Sequence, residues 1–279
     1  GNSIAASNAN YDQSGISQTC DVGQYAANPW GFFDMHGNVR EWCADWMGDY
    51  PNGSSTDPAG PASGAYRIRS GGSWDNSGRY LRSAERGGST PGNRSNNIGF
   101  RLSLRQVPVE QPKVPTPGQP WTVPTASIEM LWCEPGTFMM GSPEGEKGRE
   151  LDYKGKKTKY YETQHQVTLT KGFYLGKYEV TQAQWKKVMA TSPSQLTGND
   201  RPVEKVGWTE AGNFCWKLTL MERKTGRLPE GWEYALPTEA EWEYACRAGT
   251  TTVFAFGNNL SSKQANFDGT QPYGGAAAG

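Results

Sequence analysis

The first chemistry legible in this chain is that of hard oxygen ligands. Asp34-Met-His-Gly37-Asn-Val39-Arg-Glu41 places two carboxylates and several main-chain carbonyls in one short, glycine-containing loop. A Ca²⁺ ion takes roughly 6–8 oxygens, carbonyls included, so the pattern suits it. The alternative is a hydrogen-bonded turn in which Glu41 pairs with an arginine. Softer ligands are scarce. Cys20, Cys43, Cys133, Cys215 and Cys246 are odd in number and widely spaced, and no CxxC occurs. They read as buried thiols, with room for one disulfide, rather than a zinc knuckle or a redox pair. His36 and His165 are the only histidines. An iron site or a Ser-His-Asp triad would have to draw on these two, and no nucleophile motif accompanies them. His36 reads as a packed or hydrogen-bonded residue. No phosphate-cradling glycine loop of the Walker or dinucleotide type is present.

A second kind of chemistry is recognition. From Trp74 to Asn97 the chain is rich in Asn, Ser, Gly and Arg, with Tyr80 among them. Small polar residues with Arg and Tyr make an adaptable contact surface, as in antibody loops. The competing reading is a solvated loop packed over the core. In that case Arg82, Arg86 and Arg101 satisfy buried carbonyls or pair with Glu85 and Glu41.

These residues need elements to hold them. The chain has 279 residues with 28 Lys and Arg against 28 Asp and Glu. That balance offers no basic footprint for nucleic acid or an anionic membrane. No apolar run approaches the ~20 residues needed to span a bilayer. The hydrophobic share is 35%, with 35 Gly and 11 Trp, which argues for many short segments joined by turns rather than a helical bundle. Thr181-Gln-Ala-Gln184 and Thr238-Glu-Ala-Glu241 are capping boxes that predict helix starts, and Thr209-Glu-Ala begins a third helix. Residues 137–140, 166–170, 173–175, 66–69 and 99–104 read as strands, and the rest of the first hundred residues as loops.

Six prolines between 108 and 124 mark a tether that excludes helix and sheet ladders. Residues 1–105 and 128–279 therefore stand on either side of a 106–127 linker. GNSIAASNANYD at 1–12 lines up with GNNLSSKQANFD at 257–268. The match reads as one period of a tandem array cut in mid-domain, or as a circular permutation of a single domain.

Seven blocks carry a resemblance to a known family. After the tether come MLWCEPGTFMMGSPEGE, HQVTLTKGFYLGKYEVTQAQWKKVM, RPVEKVGWTEAGNFC and LPTEAEWEYACRAGT. Before it come NPWGFFDMHGNVREWCADW, YRIRSGGSW and NNIGFRL. Taken in that order they resemble the formylglycine-generating-enzyme, or sulfatase-modifying-factor, family. The resemblance implies an α+β, C-type-lectin-like fold with little regular secondary structure, here in permuted order. It implies a structural calcium site with Asp34 and Glu41 as side-chain ligands and Gly37 and Val39 as carbonyl ligands. It implies a second calcium site at an Asn-aromatic pair, matched by Asn10-Tyr11 and by Asn266-Phe267. It places the substrate groove over Trp74, Asp75, Asn76, Arg79, Tyr80 and Arg82. The family's oxidases use two cysteines, shortly after the GGS-aromatic block, to bind copper(I) and convert a substrate cysteine to formylglycine. Residues 73–86 contain no cysteine, nor does any position from 44 to 132. Copper(I) requires soft thiolates, so no copper is expected here.

The resulting expectation is a protein- or peptide-binding or scaffold module. It would lie in a bacterial, extracytoplasmic, multidomain protein, beside a neighbouring repeat of the same chain. Two alternatives stay open. One is a family enzyme acting on a protein substrate, with its active site in a missing part. The other is a retroelement-diversified variable ligand-binding protein, since such proteins share this fold and a similar GGSW…NNIGFRL frame.

Overall fold

The computed structural model describes residues 18–51, 53–106, 118–147, 149, 162–261, 263–268 and 273. Asn10 and Tyr11 lie outside them, as does the heart of the proline-rich stretch, 107–117.

Among the described residues, three small sheets, three α-helices and a short 3-10 turn of helix at Gly78–Leu81 make up the regular structure. Before the tether lie β1 (Arg40–Trp46), β2 (Ser55–Thr56), β3 (Arg67–Ser70), β4 (Arg86–Ser89), β5 (Ile98–Gly99) and β6 (Ser103–Gln106). After it come β7 (Trp121–Val123), β8 (Ile128–Cys133), β9 (Gly136–Met140), β10 (His165–Leu169) and β11 (Phe173–Gly176). Helices α1 (Gln182–Met189) and α2 (Trp208–Lys224), strand β12 (Trp232–Ala235) and helix α3 (Glu239–Arg247) complete the order.

The sheets run β4-β3-β1-β5, β2-β10-β9 and β12-β6-β11-β8-β7. The third is antiparallel throughout, and β6, from before the tether, lies between β11 and β12, from after it. Strand β2 likewise pairs in parallel with β10. The apolar core follows the same mixing. Trp42, Phe100, Leu102 and Leu104 pack in one cluster with Tyr174, Phe214 and Trp232. A second joins Phe32, Met35 and Ile68 to Phe173 and Trp242, and a third joins Leu81 to Phe254 and Phe267. The division at the tether is thus a division of sequence, not of packing.

Local sequence explains the helix starts. The Thr181 hydroxyl accepts from Gln184 N–H at 3.3 Å, and the Gln184 side chain accepts from Thr181 N–H at 2.9 Å. Thr238 and Glu241 repeat the exchange at 3.1 and 2.8 Å. Each box satisfies two amides that a helix N-terminus would otherwise leave open. Helix α2 starts at Trp208, one residue earlier than Thr209, with Gly207 as its N-cap, whose N–H donates to the Glu210 carboxylate at 3.0 Å.

Two expectations are corrected. Trp121–Val123, inside the expected tether, is an edge strand paired with β8. Its flanking prolines, Pro120 and Pro124, lie just off its ends and so cost the ladder no donor. The single expected strand over 99–104 is two short ones, in different sheets, with Phe100 to Leu102 crossing between them.

Candidate functional site

The expected oxygen-ligand loop lies at the junction of β1 and α3. Asp34, at φ +55°, and Gly37, at φ +104°, bend the chain sharply ahead of β1. At Gly37 only a hydrogen fits, because a Cβ would sit 2.2 Å from the Asn266 carbonyl oxygen. The Asn38 N–H donates to that same carbonyl at 3.0 Å. Asn266 is buried, and its amide reaches Asn38 Oδ1 at 3.3 Å and Cys20 Sγ at 3.6 Å. The structure therefore brings the two expected oxygen sites together, Asn266 against Gly37 and Asn38. Phe267 is fully buried in the third apolar cluster and acts as packing. Val39 is likewise fully buried.

Glu41 is paired with an arginine. Both of its oxygens are taken up by Arg101, from Nε and Nη2 at 2.6 Å each, and the Trp242 indole donates to it at 2.8 Å. Both charged partners are essentially fully buried. The arginine-paired alternative is the arrangement found. Arg101 also donates to the carbonyls of Gly176 and Phe33, at 3.2 and 3.1 Å. Burial pulls its pKa down, but the Glu41 charge outweighs that and raises it.

One acid escaped the sequence reading. Glu179 is buried, and neither of its carboxylate oxygens has a hydrogen-bond partner among the described residues. Burial, then the charges of Asp34 and Glu41, push its pKa well above the carboxylate range. Asp34 accepts from Gly23 N–H at 2.6 Å through Oδ2, while its buried Oδ1 has no hydrogen-bond partner among the described residues. Burial raises Asp34 to about 6, against the opposing pull of the Gly23 amide and Arg101. A lone Glu between Tyr178 and Val180 carries no motif, so no sequence signal pointed to it.

These observations test the expected calcium ligands. Glu41 does not fit, because Arg101 neutralises it and fills both oxygens. Asp34 does fit in one respect, through its orphaned oxygen. Among the described residues, no three His, Cys, Asp or Glu side chains gather to hold a metal ion.

The expected recognition face is built on the turn that follows β3. Gly71 and Gly72, at φ +89° and +68°, admit the Trp242 ring and the Tyr80 carbonyl close to the backbone. Trp74 is half-buried, tied by its N–H to Asn38 O at 3.1 Å. Asp75 accepts from the Asn97 amide at 2.9 and 3.1 Å and from Ser73 Oγ at 2.7 Å. The Asn76 carbonyl accepts from Asp268 N–H at 2.8 Å. Arg79 is exposed, donates to the Tyr80 hydroxyl at 2.6 Å and lies 4.5 Å from that ring's centroid. Trp74, Asp75, Asn76, Arg79 and Tyr80 thus lie partly or fully exposed along one short stretch of chain.

Arg82 does not belong with them. It is fully buried and donates to Glu162 through both terminal nitrogens at 2.8 Å, to Glu146 at 2.8 Å and to Glu85 at 3.3 Å. It is a structural cation, and the pairing with Glu85 is the one weighed from sequence. His36 is also structural. It lies 2.7 Å from Leu81 O through Nδ1, accepts from Ala255 N–H at 3.2 Å through Nε2, and is lowered by burial to about 4. The Nε2 acceptor role makes Nδ1 the protonated nitrogen.

The five cysteines form no disulfide, and all but Cys20 are buried. Burial raises the thiols of Cys43, Cys133 and Cys215, and lifts Cys246 to about 12. Protonated thiols in apolar surroundings are inert.

Comparison with known proteins follows the same blocks. A family model described as the sulfatase-modifying factor enzyme 1-like domain matches residues 2–106 and 118–273. A serine/threonine-protein kinase of Chlamydia caviae is 43% identical over 107 residues, 37% of this chain and 17% of that protein. A chaperone protein of Paenibacillus barcinonensis is 35% identical over 129 residues, 35% of this chain and 42% of the other. A formylglycine-generating enzyme of Streptomyces coelicolor is 37% identical over 99 residues, 34% and 32% of the two chains. Each match thus spans less than half the relative's length. Among solved structures, Treponema denticola variable protein 1 is 41% identical, covering 33% of this chain and 34% of its own, with a TM-score of 0.31. PvdO from Pseudomonas aeruginosa is 24% identical, covering 49% and 54%, with a TM-score of 0.39.

Proposed function

The chain belongs to the sulfatase-modifying factor enzyme 1-like domain family, and we propose that it serves there as a binding module without formylglycine-generating activity. One observation carries the reading. The segment after Gly71-Gly72-Ser73-Trp74 holds no cysteine, and in its place stand exposed Asp75 and Arg79 and partly exposed Asn76 and Tyr80. The remaining thiols of the described core are buried and protonated, so they offer copper(I) no thiolate pair.

A protein or peptide ligand fits this rim best. Tyr80 supplies a rigid ring with a polar tip, and Arg79 a guanidinium held against it. Asp75 and Asn97 supply neighbouring carboxylate and amide groups. A phage-displayed peptide selection tests the assignment. Peptides selected on the wild type should bind an Arg79→Ala/Tyr80→Ala variant about tenfold more weakly or worse, with the melting temperature unchanged. Equal binding to both proteins would remove this face from the account.

The C-type-lectin-like arrangement and a permuted chain order are part of the same reading. The insertion of β6 between β11 and β12 supports them, as does the 1–12 against 257–268 match. Whether the second half is completed by this chain's own first half or by that of a neighbouring repeat, the pairing surface is the same. An extracytoplasmic bacterial setting accompanies this reading. Calcium enters it in altered form. Buried Asp34 raises the pKa of buried Glu179, and three of the four oxygens of this pair have no hydrogen-bond partner among the described residues. That surplus of hard oxygen suits Ca²⁺, with Asp34 and Glu179 as ligands in place of Glu41.

A further inference from the structure

A cavity of about 560 Å³ opens between β9, β10 and the C-terminal end of α3, using none of the residues of the Trp74–Tyr80 rim. Its volume falls within the range of small-molecule sites, roughly 300–1,000 Å³. Its lining divides into two chemistries. The first is aromatic: Trp30 and Phe138, both half-buried, flank Tyr244 at 4.9 and 5.1 Å between ring centroids. The second is neutral and polar: the amides of Gln164 and Gln166 and the hydroxyls of Thr137, Thr250 and Thr251. Both glutamines are exposed, and neither amide has a partner among the described residues.

Among the described residues, no unspent charge faces this space. Its one ionisable cation, Arg247, donates to Glu243 at 2.8 Å and to the carbonyls of Gly141 and Thr252 at 2.8 and 3.3 Å. An anionic ligand would find no counter-charge, and a cationic one no carboxylate. The walls are also fixed. A Cβ at Gly136 would stand 2.2 Å from the Tyr244 hydroxyl, so the glycine is what lets the phenol lie against β9. Strand β9 is pinned to β10 along its whole length.

We propose that this cavity is a binding site for a neutral oligosaccharide. Sugar rings present apolar C–H faces, which settle on aromatic rings, and equatorial hydroxyls, which both donate to and accept from carboxamides. Free glutamine amides beside half-exposed rings supply both, and the absence of free charge selects uncharged sugars.

The test is titration of the full chain with chitotriose, cellotriose and maltotriose, with trigalacturonic acid as the charged control, followed by calorimetry and by tryptophan fluorescence. Saturable binding of at least one neutral trisaccharide, with the acidic control inert, is expected. Trp30→Ala and Gln166→Ala should each weaken it about tenfold. Gln166 is exposed and unpartnered, so its variant keeps the test valid should Trp30→Ala unfold. No binding of any neutral trisaccharide at millimolar concentration overturns the proposal. So does preference for the acidic one, or binding that both variants leave intact. Capture by these same residues of an uncharged peptide, without any sugar, overturns it in favour of a peptide groove.

Discussion

Replacing Arg101 by Met should be strongly destabilising. Arg101 is fully buried and fills both oxygens of Glu41 at 2.6 Å while donating to the Gly176 and Phe33 carbonyls. Removing one partner of a buried pair costs about 3–5 kcal/mol. Each carbonyl left unpaired adds about 1–3 kcal/mol. Against a total stability of about 5–15 kcal/mol, a loss of at least about 4 kcal/mol leaves the fold marginal. The pH dependence has a definite sign. Arg101 holds down the pKa values of Asp34 and Glu179, which burial has already raised. Asp34 titrates near 6 when folded, against 3.8 as its ordinary value. A carboxyl raised on folding stabilises fully below its unfolded pKa, and that contribution is lost as pH rises through the folded one. Without Arg101 these groups rise further, so the deficit should be larger at pH 8 than at pH 5. Urea unfolding followed by tryptophan fluorescence at both values measures it. Glu41→Gln/Arg101→Met should recover a substantial part of the loss, because the unpaired charge is gone. A deficit under about 1 kcal/mol, one independent of pH, or a double variant no better than the single would refute the reasoning.

Other perturbations have equally definite outcomes. Gly37→Ala should abolish soluble expression, since its Cβ would stand 2.2 Å from a backbone oxygen in a left-handed conformation; a well-folded variant would contradict the described turn. His36, lowered from 6.5 to about 4, favours the neutral form on folding. Its contribution is complete above pH 6.5 and lost as pH falls toward 4, by up to about 3 kcal/mol. His36→Gln should flatten that acid limb of a thermal-melting series, and an unchanged limb would place the cause elsewhere. Calcium at about 100 times its dissociation constant should raise the melting temperature by several degrees. Asp34→Ala should abolish the rise, and identical curves in calcium and chelator would dismiss the cation.

What the sequence made legible was local. Thr181 and Thr238 announce their helices because a capping box is a contact between residues three apart. Strand β1 stayed hidden because its first two residues, Arg40 and Glu41, are charged yet buried, and a buried ion pair reads in sequence as a solvated loop. The key to it, Arg101, lies 60 residues away. Arg82 looked like part of a binding rim for the same reason, since its partner Glu162 is 80 residues distant. Charge type is written in the sequence; whether a charge faces water or a partner is decided by tertiary packing. The sharing of sheets across the proline-rich stretch was equally nonlocal. It rests on β6 and β2, too short to be recognised as belonging to sheets formed a hundred residues later.

The central claim is that this family member binds rather than oxidises. The direct measurement is aldehyde formation on a CxPxR peptide, with copper(I) and oxygen supplied, read by hydrazide capture and mass spectrometry. The account predicts that the substrate cysteine is recovered unchanged, as it is in a protein-free control. Catalytic turnover to formylglycine would contradict it.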